Sequence, residues 1–408
     1  MSLTKIQRNS RISLNLVITG MWILFFHEVL KSFSIIKMPI AYCGFFILFS
    51  ALLVELKNGS LALLYGKYRL WIICIWFFSI FALFYGMAKS HSLQFLSRDI
   101  WPYSYFACLL VAARINTWRA IDKMIYQQFF MGLIVFLYIF TTMDILRLTR
   151  AAYDSSAVPW GGFNIYGAWG LLYGWMYMFL TFNKRQPVFR KIVTCLGIIF
   201  FLVFGIMMLK RQVIVELGMI IVFKLIYEIK IKKTNVFKLM IVFIVIIAVT
   251  FSIIKYFEYR ANTQYFRKLI LRSTESGSVL ATILQNTRFI EQPLNIYNQA
   301  SGFEILFGQG LGSSVVKDGV IDTVVESGFL TIFLKGGIIY LMIWYLGFFS
   351  ILKDTLLRRR RDKLLFGLLS AMFIISSPMA PFFIGYFSSG YQMFWLGQCT
   401  SRLRRSDV

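Results

Sequence analysis

The sequence predicts an all-α, polytopic integral membrane protein: about twelve transmembrane helices and one large external loop that contains an amphipathic helix. Three observations predict this. Of 408 residues, 58% are hydrophobic and 15% charged, where a soluble globular chain carries about a quarter charged residues. Many stretches hold the roughly 18 consecutive apolar residues that mark a transmembrane helix. Lipid offers no partner to backbone N–H and C=O groups, so such stretches must be helical. The pattern then stops once, from Phe257 to Val325, where the chain turns mixed and polar before the spans resume. A single long loop in a chain of short connections is where function concentrates.

Spans are expected near 14–30, 38–55, 70–88, 99–113, 124–143, 160–182, 192–209, 212–229, 237–256, 328–352, 364–378 and 384–399. The first lacks a small-residue cleavage site and is expected to be retained rather than removed as a signal peptide. The fourth is short and carries Pro102. The last two flank Ser377-Pro378-Met379-Ala380-Pro381 and also fit a broken or re-entrant pair. The chain thus divides into an N-terminal bundle of about nine spans (1–256), an external loop (257–326) and C-terminal spans (327–408), all in one integrated domain. No internal repeat or low-complexity tract interrupts it.

The net charge of +25 is explained by its placement. With the N-terminus inside, alternate connections hold Lys5, Arg8 and Arg11; Lys57, Lys67 and Arg69; Arg114, Arg119 and Lys123; and so on to Arg358–Arg361 and Arg402, Arg404 and Arg405. Together these connections carry 26 of the 43 Lys and Arg residues, whereas 257–326 holds six basic and seven acidic residues. That is the positive-inside pattern. It puts both termini in the cytoplasm and the long loop outside, assigns the Arg358–Arg361 run to anionic lipid, and argues against nucleic acid. All five cysteines (Cys43, Cys74, Cys108, Cys195, Cys399) fall in expected spans, so no disulfide framework or metal-thiolate spacing is present. Two isolated histidines, His27 and His91, make no zinc site and are expected to be local hydrogen-bonding residues.

Within the loop, Ser278 to Gln299 places Val279, Leu280, Ile283, Leu284 and Ile290 at helical spacing, an amphipathic helix suited to the membrane surface. Gly308-Gln309-Gly310-Leu311-Gly312 follows; with no preceding strand and no Gly-Lys-Ser/Thr after it, a plain turn is the better reading than a phosphate loop. Three groups have a chemical use. Lys210 and Arg211 sit at an almost absent external junction between two spans. There they form either an ion pair with Glu216 or a dock for an anion, since a guanidinium fork matches phosphate oxygens. Arg288, in the amphipathic helix, lies on the same side; several cations on one diphosphate would stabilise a departing pyrophosphate. Glu326, at the mouth of the next span, is a candidate base, with Asp322 one helical turn earlier to share a proton. A helix N-terminal acid is the plain alternative. Lys335 lies deeper and is expected either to pair with a carboxylate or to join the site.

Taken in order, these residues resemble the O-antigen polymerase and ligase superfamily: a basic pair at a short external junction, one large loop a span later, an arginine on a helix in that loop, a Gly-x-Gly-x-Gly turn, then Gly337-Ile338-Ile339 in the next span. The resemblance covers about 190–345. It implies a glycosyltransferase of the bacterial cytoplasmic (inner) membrane, acting at its outer face. The donor would be an undecaprenyl-pyrophosphate-linked oligosaccharide. It further implies catalytic roles for Glu326 and Asp322, pyrophosphate binding by Lys210, Arg211 and Arg288, membrane lipid and a chain-length regulator as partners, and no metal or other cofactor. Ligases of this type carry a histidine where this chain has Glu326, which favours a polymerase of repeat units. A ligase, and a flippase or transporter of lipid-linked oligosaccharide, are the alternatives.

Overall fold

The computed structural model describes residues 3–32, 39–115, 118–142, 166–182, 186–207, 211–232, 298, 300–317, 320–322, 328–357, 361–376 and 387–401. This part of the chain is almost entirely helical. Its helices are α1 (Leu3–Ser32), α2 (Pro39–Lys57), α3 (Gly66–Ala88), α4 (Leu93–Ile100), α5 (Phe106–Arg114), α6 (Arg119–Thr142), α7 (Tyr166–Leu180), α8 (Val188–Met207), α9 (Arg211–Lys232), α10 (Gly302–Phe307), α11 (Gly328–Leu357), α12 (Arg361–Ser376) and α13 (Phe387–Thr400). Four of these are long and apolar enough to cross a membrane: Arg11–Leu30, Pro39–Lys57, Gly66–Ala88 and Gly328–Thr355.

The faces of α3 show how sequence becomes architecture. Tyr68, Trp71, Ile72, Ile75, Ser79, Ala82 and Gly86 recur at three- and four-residue steps and are buried, while Leu70, Ile73, Phe77, Ile80, Phe84 and Met87 are exposed. The outward face is the more apolar one. Water would make that strip an aggregation surface; lipid makes it a solvent-facing one, since a helix that is apolar all round belongs in a core or a membrane. Between such helices the hydrophobic effect offers little, and close packing of small residues takes over. A Cβ at Gly20 of α1 would lie 2.8 Å from Leu48 Cγ, and one at Gly44 of α2 would lie 2.8 Å from Leu24 Cγ. The two glycines therefore let these helices interlock.

Inside this outer layer run α5 and α13, whose residues Phe106–Ala113 and Gly390–Cys399 are buried throughout. Their backbones nearly touch: a Cβ at Gly397 would meet Leu109 O at 2.1 Å. One end of the bundle is closed by polar clamps. Buried Glu55 accepts hydrogen bonds from Ser13, Ser60 and Arg114. Arg190 forks onto both oxygens of Asp122 at 2.8 Å, with Tyr177 donating to the same carboxylate at 2.9 Å.

Two local expectations change. The short fourth span is a broken element: α4, a 3-10 turn over Trp101–Tyr105 and then α5. Pro102 is the second residue of that turn, where its missing N–H costs nothing. The loop also is not purely helical. Val315–Lys317 (β1) and Val320–Asp322 (β2) form an antiparallel pair with Val315 opposite Asp322. Asp322 therefore ends a strand rather than opening a helical turn, and Glu326, which that turn was expected to bring beside it, lies outside the described residues. The physical reason is local: Asp318-Gly319 between two β-branched pairs is the sequence of a tight two-residue hairpin. The amphipathic helix expected over Ser278–Gln299 lies outside the described residues apart from Asn298.

Candidate functional site

At the end of the bundle opposite the Glu55 clamp, the glycine turn is built into the helices. Gly308, Gly310 and Gly312 all have positive φ (78°, 88° and 77°). The turn lies against a break in α11, where Gly337 takes φ 68° and ψ −170°. That break withdraws the N–H groups that would have served the carbonyls of Leu334 and Lys335. The turn replaces them: Gln309 N–H donates to Leu334 O at 2.8 Å, and Gly310 N–H donates to Lys335 O at 3.1 Å. Non-helical backbone at membrane depth is tolerated only where protein satisfies it in this way. On its other side the turn meets α3, where Leu311 N–H donates to Ala82 O at 2.9 Å. Only glycine allows that approach, since a Cβ at Gly86 would lie 2.1 Å from Leu311 O.

Beside the turn sits a buried ion pair. Lys335 Nζ lies 2.6 Å from Asp99 Oδ2 and donates to Ser313 O at 2.6 Å. Asp99 Oδ2 also accepts Gly312 N–H at 2.6 Å. Lys335 and Asp99 are 4% and 6% exposed. Asp99 Oδ1 and Ser313 Oγ are buried and have no hydrogen-bond partner among the described residues. His91 donates from Nδ1 to Leu311 O at 2.8 Å, which places its proton on that nitrogen because a carbonyl only accepts. Below the pair, Ser79, Tyr340 and Tyr103 form a hydroxyl chain with contacts of 2.7 and 2.8 Å.

Helix α10 leads into the turn and is held by its own chemistry. Ser301 caps it, accepting Glu304 N–H while Glu304 accepts Ser301 N–H at 2.8 Å. Glu304 pairs with Lys89, just past the end of α3. Their hydrogen bond holds the Glu304 carboxyl below its usual range and the Lys89 ammonium above its own. Phe303 and Phe307 pack against Tyr85 and Phe81 with tilted rings at centroid distances of 5.5 and 5.6 Å.

Of the residues singled out from sequence, Arg211 opens α9, four residues after α8 ends at Met207, and Asp322 closes β2. Their side chains lie outside the described residues, as do Lys210, Arg288 and Glu326 altogether. Glu216 is buried in α9. Lys335 is resolved in favour of a carboxylate partner. That partner, Asp99, was missed from sequence, although an acid at the start of an expected span followed by Pro102 is itself a signal. Among the described residues no cluster of His, Cys, Asp or Glu is arranged to hold a metal ion. No family model, curated protein or solved structure matches this chain.

Proposed function

We propose that the protein is a membrane glycosyltransferase that polymerises undecaprenyl-pyrophosphate-linked oligosaccharide repeat units into an O-antigen or capsule-type polysaccharide. It has about twelve spans, cytoplasmic termini and its loop on the outer face of the bacterial inner membrane. One observation carries this reading. A glycine turn, late in a polar loop, is locked onto the broken start of the span that follows it, in the chain order on which the family resemblance rests. The short α8–α9 junction, with Arg211 as the first residue of α9, agrees with a basic pair presented at a helix end.

The chemistry is one displacement. A hydroxyl of the incoming lipid-linked unit attacks the anomeric carbon of the growing chain. The new C–O glycosidic bond forms as the bond to the pyrophosphate oxygen breaks, inverting that carbon. Undecaprenyl pyrophosphate leaves, its charge met by Lys210, Arg211 and Arg288. Glu326, assisted by Asp322, takes the hydroxyl proton. Neither nucleotide nor metal ion is needed for that balance.

Arg211→Ala and Arg288→Ala are expected to insert normally and to abolish long-chain polymer while single repeat units persist. Wild-type chain-length ladders in both variants would overturn the proposal. Elongation of purified lipid-linked repeat unit by the purified protein separates an enzyme from a carrier. Ladders that form but never reach the lipid A–core acceptor in a deletion strain would identify a ligase instead.

A further inference from the structure

We propose that the Asp99–Lys335 pair is a positioning clamp that sets where the strand pair β1–β2, which ends at Asp322, stands relative to the membrane helices. The proposal rests on the polymerase reading for its chemistry, and on described geometry for the clamp itself. Three observations carry it.

The first is chain path. Ser313 is the last buried residue before β1, β2 ends at Asp322, and α11 starts at Gly328. Lys335 belongs to α11 yet donates to Ser313 O at 2.6 Å. One ammonium group of α11 therefore holds the backbone where the chain leaves the buried turn for β1. The second is economy of contact. A single oxygen, Asp99 Oδ2, receives both Lys335 Nζ and Gly312 N–H, each at 2.6 Å. Three stretches of chain (α4, the turn and α11) are thus fixed on one atom. The third is what the pair leaves undone. Asp99 Oδ1 and Ser313 Oγ are buried without a hydrogen-bond partner among the described residues. A pair tuned for stability would use both oxygens, because desolvating a charge is repaid only when its remaining lone pairs are served. Such a pair is better explained by the geometry it imposes.

Neither residue is placed in contact with substrate. They act through the loop, so the pyrophosphate-binding cations Lys210, Arg211 and Arg288 should be untouched by their loss. Lys335→Met and Asp99→Asn, in the full chain in lipid nanodiscs, test this. Asn at 99 keeps an acceptor for Gly312 N–H, so Asp99→Asn carries the test if Lys335→Met does not fold. Amide exchange over 391–399 reports whether the core is intact.

Expected is about a tenfold rise in amide exchange over 315–317 and 320–322 with core protection unchanged. Turnover of lipid-linked repeat unit should fall about 10- to 100-fold, the scale of an ångström-sized misplacement, with KM within about threefold of wild type. A purely structural role would leave kcat per folded molecule unchanged. Wild-type exchange over the hairpin in a folded variant overturns the clamp. A loosened hairpin with wild-type kcat overturns its positioning role. Wild-type protein that elongates nothing overturns the polymerase reading instead, and the exchange result alone then decides the clamp.

Discussion

Replacing Gly337 by alanine tests the geometry on which the glycine turn depends. At φ 68° and ψ −170° an L-residue is strained by about 1–3 kcal/mol. The new Cβ would also lie 2.3 Å from Leu306 O and 2.5 Å from Gly308 N, well inside contact distance. Relief requires lifting the 306–310 backbone from α11, which breaks the bonds from Gln309 and Gly310 to Leu334 O and Lys335 O. Each such bond is worth about 0.5–1.5 kcal/mol net, so with the backbone strain the whole cost comes to about 2–6 kcal/mol. Gly218 is the control: it sits within α9, and a Cβ there would meet nothing within 4 Å. The same substitution at Gly218 should stabilise by about 0.5–1 kcal/mol, through the entropy glycine loses in a helix. Reversible unfolding in mixed micelles of graded denaturing-detergent content gives both values on one scale. A Gly337→Ala variant within about 1 kcal/mol of wild type would refute the reasoning, since a clash at that site has no cheap escape.

Two further outcomes follow from the Glu55–Arg114 and Lys89–Glu304 ion pairs. Glu55→Gln removes the charge that the half-buried Arg114 pairs with and should cost about 3–5 kcal/mol, the scale for breaking a buried pair, with much of it recovered in Glu55→Gln/Arg114→Met; the same micelle titration measures it, and an additive double variant would contradict it. The Lys89–Glu304 pair makes the docking of α10 depend on pH. Glu304 is held below its ordinary value of 4.5 and Lys89 above its own of 10.5. The carboxyl's contribution is therefore complete above about pH 5 and lost as pH falls through its lowered pKa; the ammonium's is complete below about pH 10 and lost as pH rises through its raised one. Amide exchange over 302–307, corrected for the intrinsic pH dependence of exchange, should show α10 loosening at both extremes. Lys89→Met should remove the acid-side change, and an unchanged profile in that variant would reject the pairing.

Residues with local causes were legible. The four long apolar helices lie where the runs at 14–30, 38–55, 70–88 and 328–352 place them, because length and hydropathy alone decide them. Gly308, Gly310 and Gly312 were recognisable as a turn and His91 as a hydrogen-bonding residue. What the turn rests on was not recognisable: Ala82 and Gly86 lie more than 220 positions earlier, and no periodicity records a meeting between distant stretches. Lys335 was expected to seek a carboxylate, but identifying Asp99 required the bend at Trp101–Tyr105 that turns α4 toward the turn. The hairpin at 315–322 was missed although Asp318-Gly319 announces it, because a strand pair is not expected between membrane helices.

The partnership of Asp99 with Lys335 also constrains biogenesis. During synthesis the acid emerges long before the lysine that neutralises it. A chain truncated between about residues 100 and 300 carries an unmatched carboxylate among apolar helices, and a bare groove along Ala82 and Gly86 where the returning turn belongs. Insertion of the early helices is thus provisional until the closing segment arrives. Incomplete products display a polar lesion of the kind that membrane quality control removes.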